Sequence, residues 1–567
     1  MTFHPSMFSG FIAADSEVQR RLFTQYHGVS EDFDVIVVGS GIGGGLLADD
    51  LADRTGGHQR ILVLEAGSYL FPTHVYNTAR VNNAAVAERF ACGTFWQSGG
   101  ESDDHFIREA PQLNLGGRSV FWSGLIPTIQ DWERDYFPDK VSAALTDDAL
   151  NEAGKKMNQS TTMGTLAEAL VKRLRKSRLR HHFEIAQTPR ALHQPYLTED
   201  GGPRGQYFIE PTGVFNTTEL LVNQLGPDRD HDGRGLHLQI HQYVEDIQRL
   251  PDGRLRLISR TTTTGKPRIY TARRVVLAGG SIESPKLLMR STLGRSLDPA
   301  VLARAGRGLT DHPTTDKRSA LVTHCGPIAI PRDEHAKIIL YSKGKRAGKQ
   351  VRYPFNIEVN VNHEYWHLRE NDPDGGIGPR PGEGSVLEFK FSFANCLDLD
   401  NAVQAAPDFQ YVPEITFRNL QHADPTSARL GVLAGWNKTS AQVFATLNDV
   451  GDRLLKEFRY RGGSVPDKYK HRIGTVPATA RLGEDGQGFG QGTVHHAVGT
   501  LRMPHRPALG APVDDASVVD EDLQVRGEPG LYVCDMSVLP LSSAANPVRT
   551  LAALALRLSQ HLSPDEP

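Results

Sequence analysis

The chain has 567 residues, more than one hydrophobic core ordinarily serves, so two or three domains are expected. Its 63 basic and 66 acidic residues leave a net charge of −3, which excludes the strongly basic footprint of a nucleic-acid-binding protein. Four scattered cysteines (Cys92, Cys325, Cys396, Cys534) offer neither a Cys-x-x-Cys pair for a metal nor a disulfide framework, and no apolar run approaches the ~20 residues of a membrane span. With no secretory pattern in residues 1–29, read as an N-terminal extension, the expectation is a cytoplasmic protein without a membrane partner; a homo-oligomer is compatible with this composition.

Residues 34–38, DVIVV, read as a buried parallel strand. They run into GSGIGGG, which gives Gly39, Gly41 and Gly44 the G-x-G-x-x-G spacing, with Ile42 and Gly43 between. A helix follows with Leu46, Leu47 and Leu51 toward the sheet, then a second strand, Ile61 to Leu64, ending in Glu65. Gly39 permits the tight turn, Gly41 lets the backbone approach a pyrophosphate near Gly43, and Gly44 lets helix and strand pack closely. Glu65, 21 residues beyond Gly44, can accept two ribose hydroxyls and would repel the extra phosphate of NADP. FAD and NAD both fit this unit.

Further along, LNLGGRSVFWSGLIP (113–127) places Gly117, Ser119, Trp122 and Ser123 in a polar, glycine-rich turn. Residues 141–190 carry helical patterns such as LAEALVKRLRK. ARRVVLAGG (272–280) reads as a strand entering a turn at Gly279, and the next helix has Pro285 in its opening turn. Alternating runs across 318–445, namely SALVTHC, AKIILYS, FNIEVNV, SVLEFKFSF, EITFRNL and SAQVFATL, suggest half-buried antiparallel strands. Asn356, Glu358, Asn360, Asn362 and His363 could serve a sugar, but on an edge strand they would be ordinary solvated residues. GGIGPRPGEG (375–384) is a loop, and the lysine and arginine cluster at 343–349 a solvated one. Near the end, a strand from Leu531 to Cys534 delivers Asp535, and a last helix starts around Pro547.

Oxidising an alcohol requires a base for the hydroxyl proton and a second polar group to hold the same oxygen. His496, before the AVGT turn, fits the first role, and Asn546, opening the last helix, the second. Asn546 could equally cap that helix. Only one of the adjacent His495 and His496 can easily face a given site. His312, in GLTDHPT, reads as support for a loop near the cofactor, and Met503 and Cys534 as packing.

Together DVIVVGSGIGGG, GGRSVFWSG, GGSIESPKLLMRS, GRGLTDHP, HHAVGT and the terminal VVDEDLQVRGEPGLYVCDMSVLP with NPVRT resemble the glucose–methanol–choline (GMC) oxidoreductase family. The resemblance implies an α/β architecture (α+β overall): a Rossmann-like FAD-binding domain of GMC type plus a substrate domain with a mainly antiparallel sheet. The FAD domain is expected in three pieces, 30–135, 225–315 and 490–567, and the substrate domain at 136–224 and 316–489. FAD is the implied cofactor, with Glu65 on its adenosine ribose, Val244, Asp535, Asn546 and Pro547 among its neighbours, and His496 with Asn546 at the flavin face. The 113–127 segment looks most like the pyranose-oxidase branch, including bacterial relatives that oxidise glycosides, and puts Trp122 beside the flavin. Phe121 stands where fungal pyranose oxidases carry the histidine bonded to the flavin, so FAD is expected to be non-covalent. The expected substrate is a secondary alcohol of a sugar or glycoside, at C2 or C3, with oxygen or a quinone as final acceptor. Non-sugar alcohols, or a lyase on the same fold, are the alternatives.

Overall fold

The structure is a computed structural model that describes residues 31–69, 97–98, 112–160, 164–191, 214–225, 234–315, 317–331, 334–344, 351–362, 384–405, 413–417, 440–461, 475–477, 481–482, 489–490, 495–507 and 510–563. The apolar run after Glu31 becomes the strand Glu31–Val38, which lies parallel to Arg60–Leu64 on one side and to Pro267–Leu277 on the other. Among the described residues this sheet has seven strands. Gly235–Gln239 extends it parallel beyond Arg60–Leu64, and an antiparallel meander, Gln242–Arg249, Leu255–Thr261 and Pro267–Leu277, forms its other side. The 11-residue strand Pro267–Leu277 is long enough for two neighbours along one edge: Leu255–Thr261 on its first half and Leu531–Val533, in parallel, on its last three residues.

The helix Ile42–Arg54 buries Leu46, Leu47 and Leu51 completely, each burial contributing about 1.5–3 kcal/mol. It packs against the last helix, Val548–Leu562. Helices Asp139–Ala144 and Asp147–Lys156, assigned from sequence to the second domain, share this same core through Val141, Leu150 and Ala153. Helix Gly280–Arg290 begins as expected, but Pro285 is its sixth residue and not in the opening turn; the Ser281 carbonyl, left without the Pro285 donor, accepts from Thr500 Oγ1 (2.7 Å).

A second sheet of eight described strands runs in the order Thr475–Pro477, Lys317–Val322, Ser385–Phe393, Phe355–Val361, Ala336–Ser342 and Phe183–Gln187, with Thr314–Thr315 joined at Ser385–Phe393 and Phe489–Gly490 paired to Thr314–Thr315. It is mainly antiparallel. On one face Phe355, Ile357, Val359, Phe389, Phe391 and Phe393 form a core with helices Thr165–Leu174 and Ser440–Glu457. Two expectations change here. SAQVFATL is the start of the helix Ser440–Glu457 and not a strand, because Val443, Leu447, Val450 and Leu454 recur at helical spacing and are buried. The strand Phe355–Val361 is interior and not an edge, so Asn356, Glu358 and Asn360 are buried and not solvated. Residues 1–29, Cys92, His363, and the 375–384 loop apart from Gly384 lie outside the described residues. No described helix is long and apolar enough to cross a membrane.

Candidate active site

A cavity opens at the carboxyl ends of the first sheet's parallel strands. Its walls include Gly39, Gly41, Ile42, Gly43, Glu65, Gly117, Ser119, Val244, Gly279 and Asp535. Gly39 has φ +107° and lies so near the backbone of Ala278 that a Cβ would meet its carbonyl at 2.5 Å. At Gly44 a Cβ would sit 2.2 Å from the Gly39 carbonyl and 2.8 Å from the Ala278 side chain, so this glycine serves the helix–strand contact. Gly41 differs: nothing lies within 4 Å of its Cβ position, and it is the N-cap of Ile42–Arg54 on the cavity wall. Open space and free N–H groups at a helix N-terminus suit a pyrophosphate.

Glu65 is 5% exposed. Its Oε2 accepts from Ser40 N (3.2 Å) and Ser40 Oγ (2.5 Å), and its Oε1 from Gly67 N (2.8 Å). Two carboxylate oxygens retain acceptor capacity after three such bonds. Desolvation raises the Glu65 carboxyl above its ordinary range, and the bonds from Ser40 and Gly67 act the other way. At the other side of the cavity, Asp535 Oδ2 accepts from Gly280 N (2.9 Å) and Ser284 Oγ (2.5 Å), and Oδ1 from Ser537 N (2.9 Å) and Ser537 Oγ (2.5 Å). It ties the Gly280–Arg290 helix to the final block. These groups fit the phosphates and ribose of a dinucleotide such as FAD.

Not every expected cofactor contact borders the cavity. Trp122 donates its Nε1 proton to the Phe215 carbonyl (2.7 Å), and Ser123 is exposed. Pro547 is the N-cap of Val548–Leu562, which has no side-chain cap, so the capping role open to Asn546 is not used. Asn546 is 8% exposed, and its amide makes no hydrogen bond to another described residue. Of the two adjacent histidines, His495 lines the cavity, where Arg118 Nη1 donates to its Nδ1 (2.9 Å). His495 adopts φ +59°, and His496 turns instead toward the second sheet.

There His496 meets His312, which the sequence suggested as support for a loop near the cofactor. Its Nδ1 lies 3.2 Å from Nδ1 of His312, which is 1% exposed. The fully buried Asp311 accepts at Oδ1 from His312 N (2.7 Å) and from His496 N (2.9 Å), a role no local pattern announced. Paired hydrogen bonds between Thr310 and Val498 and the approach of Gly499 to the Gly308 carbonyl hold the two segments together. Burial drives His312 down to about 3, with Lys390 adding to the effect. His496 is lowered well below its ordinary value, first by desolvation, then by His312, Lys390 and His495, against which Glu358 acts. Both rings are neutral at pH 7.

Glu133 was also missed. Its Oε1 accepts from Ala544 N (2.6 Å), two residues before Asn546, and its Oε2 from Gln130 N (2.9 Å). It is completely buried, and desolvation pushes it to about 7.

A glycine-turn dinucleotide site with an acid at the end of the second strand and a neutral histidine pair beyond it suits an FAD-dependent oxidoreductase acting on CH–OH groups, the class that similarity to known proteins supports. Models of the GMC oxidoreductase family match residues 233–314 and 444–555. The chain is 24% identical to a C-glycoside 3-oxidase of Microbacterium trichothecenolyticum, over 94% of this chain and 96% of that protein. It is 23% identical to a pyranose dehydrogenase of Agaricus campestris, over 92% of each. The crystal structure of pyridoxine 4-oxidase from Mesorbium loti shares the fold, with a TM-score of 0.54 and 16% identity across 93% of this chain and 99% of that one. These matches make the chain similar to the GMC oxidoreductase superfamily.

The two glycines separate ligand from fold. Gly41→Ala is expected to leave the melting temperature of the apoprotein unchanged and to weaken FAD binding at least tenfold, whereas Gly44→Ala lowers the melting temperature itself. Flavin fluorescence titration and thermal melts check both; a Gly41→Ala protein that binds FAD normally contradicts the pyrophosphate assignment. For Glu133, a carboxyl raised from 4.5 to about 7 on folding favours the folded state fully below 4.5 and loses that advantage as pH rises through 7. The change corresponds to roughly 3 kcal/mol. Relative to Glu133→Gln, the wild type is therefore expected to lose stability between pH 5 and pH 8, as read from melting temperatures; a pH-independent difference refutes it.

Proposed function

We propose that this enzyme oxidises a secondary alcohol of a sugar or glycoside, at C2 or C3, with FAD held non-covalently. The observation that carries the substrate class is the second face of the eight-stranded sheet. Asn356, Glu358, Lys390 and Ser392 alternate with the core phenylalanines and therefore project away from them. This face is buried although polar. Lys390 Nζ lies 3.3 Å from Glu358 Oε1, and both residues act electrostatically on His496. Asn356 Nδ2 and Ser392 Oγ are buried without a hydrogen-bond partner among the described residues. Leaving such groups unpaired costs on the order of 1–3 kcal/mol each, a cost that a ligand with several hydroxyls removes and an apolar alcohol does not. The names of the C-glycoside 3-oxidase and the pyranose dehydrogenase agree with this reading.

FAD held by the pocket of Gly41, Glu65 and Asp535 would supply the two-electron acceptor for the C–H hydrogen, with oxygen or a quinone as the final acceptor. His496 takes the hydroxyl proton, for which its depressed pKa keeps it neutral and ready. Asn546, with an uncommitted amide among the described residues, orients the same oxygen. Phe121 offers no nucleophilic atom for a covalent flavin bond.

Anaerobic mixing with monosaccharides, glycosides, sterols and long-chain alcohols tests the substrate class: sugars or glycosides should bleach the flavin, and bleaching by the apolar alcohols alone overturns it. His496→Ala should slow that bleaching by about 10²–10⁴-fold. In the wild type the reductive rate should hold as pH falls from 8 to 6.5, because His496 protonates only below its ordinary value. Acid precipitation should release the yellow colour into the supernatant; colour retained on the protein refutes the non-covalent assignment.

A further inference from the structure

We infer that His312 is a positioning residue that sets the tautomer of His496, and this rests on His496 being the base. The two Nδ1 atoms face each other at 3.2 Å. A hydrogen bond there requires one protonated and one bare Nδ1, and a neutral imidazole carries a single N–H. Two arrangements satisfy this. If His312 donates, His496 carries its proton on Nε2 and has no lone pair left for a substrate. If His496 donates, its Nε2 is bare, and that nitrogen is the only one not committed to His312. Proton abstraction selects the second arrangement, with the His312 proton on Nε2.

Local geometry makes the pairing rigid. Asp311 Oδ1 holds the backbone N–H of both histidines, so the two main-chain segments that carry the rings are fixed relative to each other by buried hydrogen bonds. Directly beyond, Phe393 N donates to the Pro313 carbonyl (2.9 Å), which anchors the turn carrying His312 to the second sheet. His312 Nε2 is buried and has no partner among the described residues. When His496 receives the substrate proton at Nε2, its Nδ1–H remains bonded to the bare Nδ1 of His312, which accepts the bond without taking the proton. The arrangement does for an imidazole base what a carboxylate does in a catalytic triad, using a neutral acceptor.

The wild-type holoenzyme, labelled with ¹⁵N at histidine, provides a readout that needs no catalysis. The signal lost in His496→Gln should show an Nδ1–H tautomer; an Nε2–H tautomer overturns the inference. Kinetics give a second test. His312→Asn keeps an acceptor near the Nδ1 position and should reduce flavin within about tenfold of wild type, with KM little changed. His312→Leu removes the acceptor and should slow reduction about 100-fold at similar KM. Equal losses in both variants, or wild-type rates in His312→Leu, overturn it. If His312→Leu fails to fold, the tautomer measurement still decides. The underlying reading fails separately, if His496→Ala reduces flavin as fast as wild type.

Discussion

Backbone lies against backbone where the glycine turn meets the end of the chain. A Cβ at Gly43 would stand 2.0 Å from the Cys534 carbonyl. This contact brings the strand Leu531–Val533 and its following acid, Asp535, beside the N-terminus of Ile42–Arg54, although Gly43 and Cys534 are 491 positions apart in sequence. Only that approach lets one cavity draw walls from the first, middle and last parts of the chain. Cys534 is buried there and its thiol is pushed far above the ordinary range by desolvation, so it packs as an apolar residue.

Four buried carboxylates then organise the surroundings in the same way. Glu65, Glu133, Asp311 and Asp535 each accept hydrogen bonds from backbone N–H groups, and three of them join segments far apart in sequence. A carboxylate removed from water must be compensated this way or become protonated. The cost of burial is thus converted into specificity for one arrangement of turns, and the histidines and glycines inherit their positions from it.

Much of this was legible. FNIEVNV and SVLEFKFSF coincide with the observed strands, since alternation of phenylalanine and isoleucine with polar residues allows no other period. The glycine turn and Glu65 were equally plain, because their chemistry is local. SAQVFATL misled because eight residues fit both periods, and only Val450 and Leu454, outside that window, reveal the helix. The burial of Asn356 and Glu358 was hidden for another reason. A polar face looks the same in sequence whether water or another part of the protein covers it. Asp311 lay in plain view in GLTDHPT, but its second partner, the His496 amide, is 185 residues away. His495 and His496 could not be told apart without the left-handed backbone at His495.

The packing of Ile42–Arg54 against Val548–Leu562 also has a temporal side. At ordinary ribosomal rates the second helix emerges roughly 25–100 s after the first. During that interval the helix carrying Leu46, Leu47 and Leu51 lacks its final partner, and the cavity lacks the wall that Asp535 provides. Completion of the cofactor site is therefore a late, long-range event of high contact order. Nascent chains must remain soluble with an unfinished first domain, and capture of the flavin can seal the fold only after the last helix has docked.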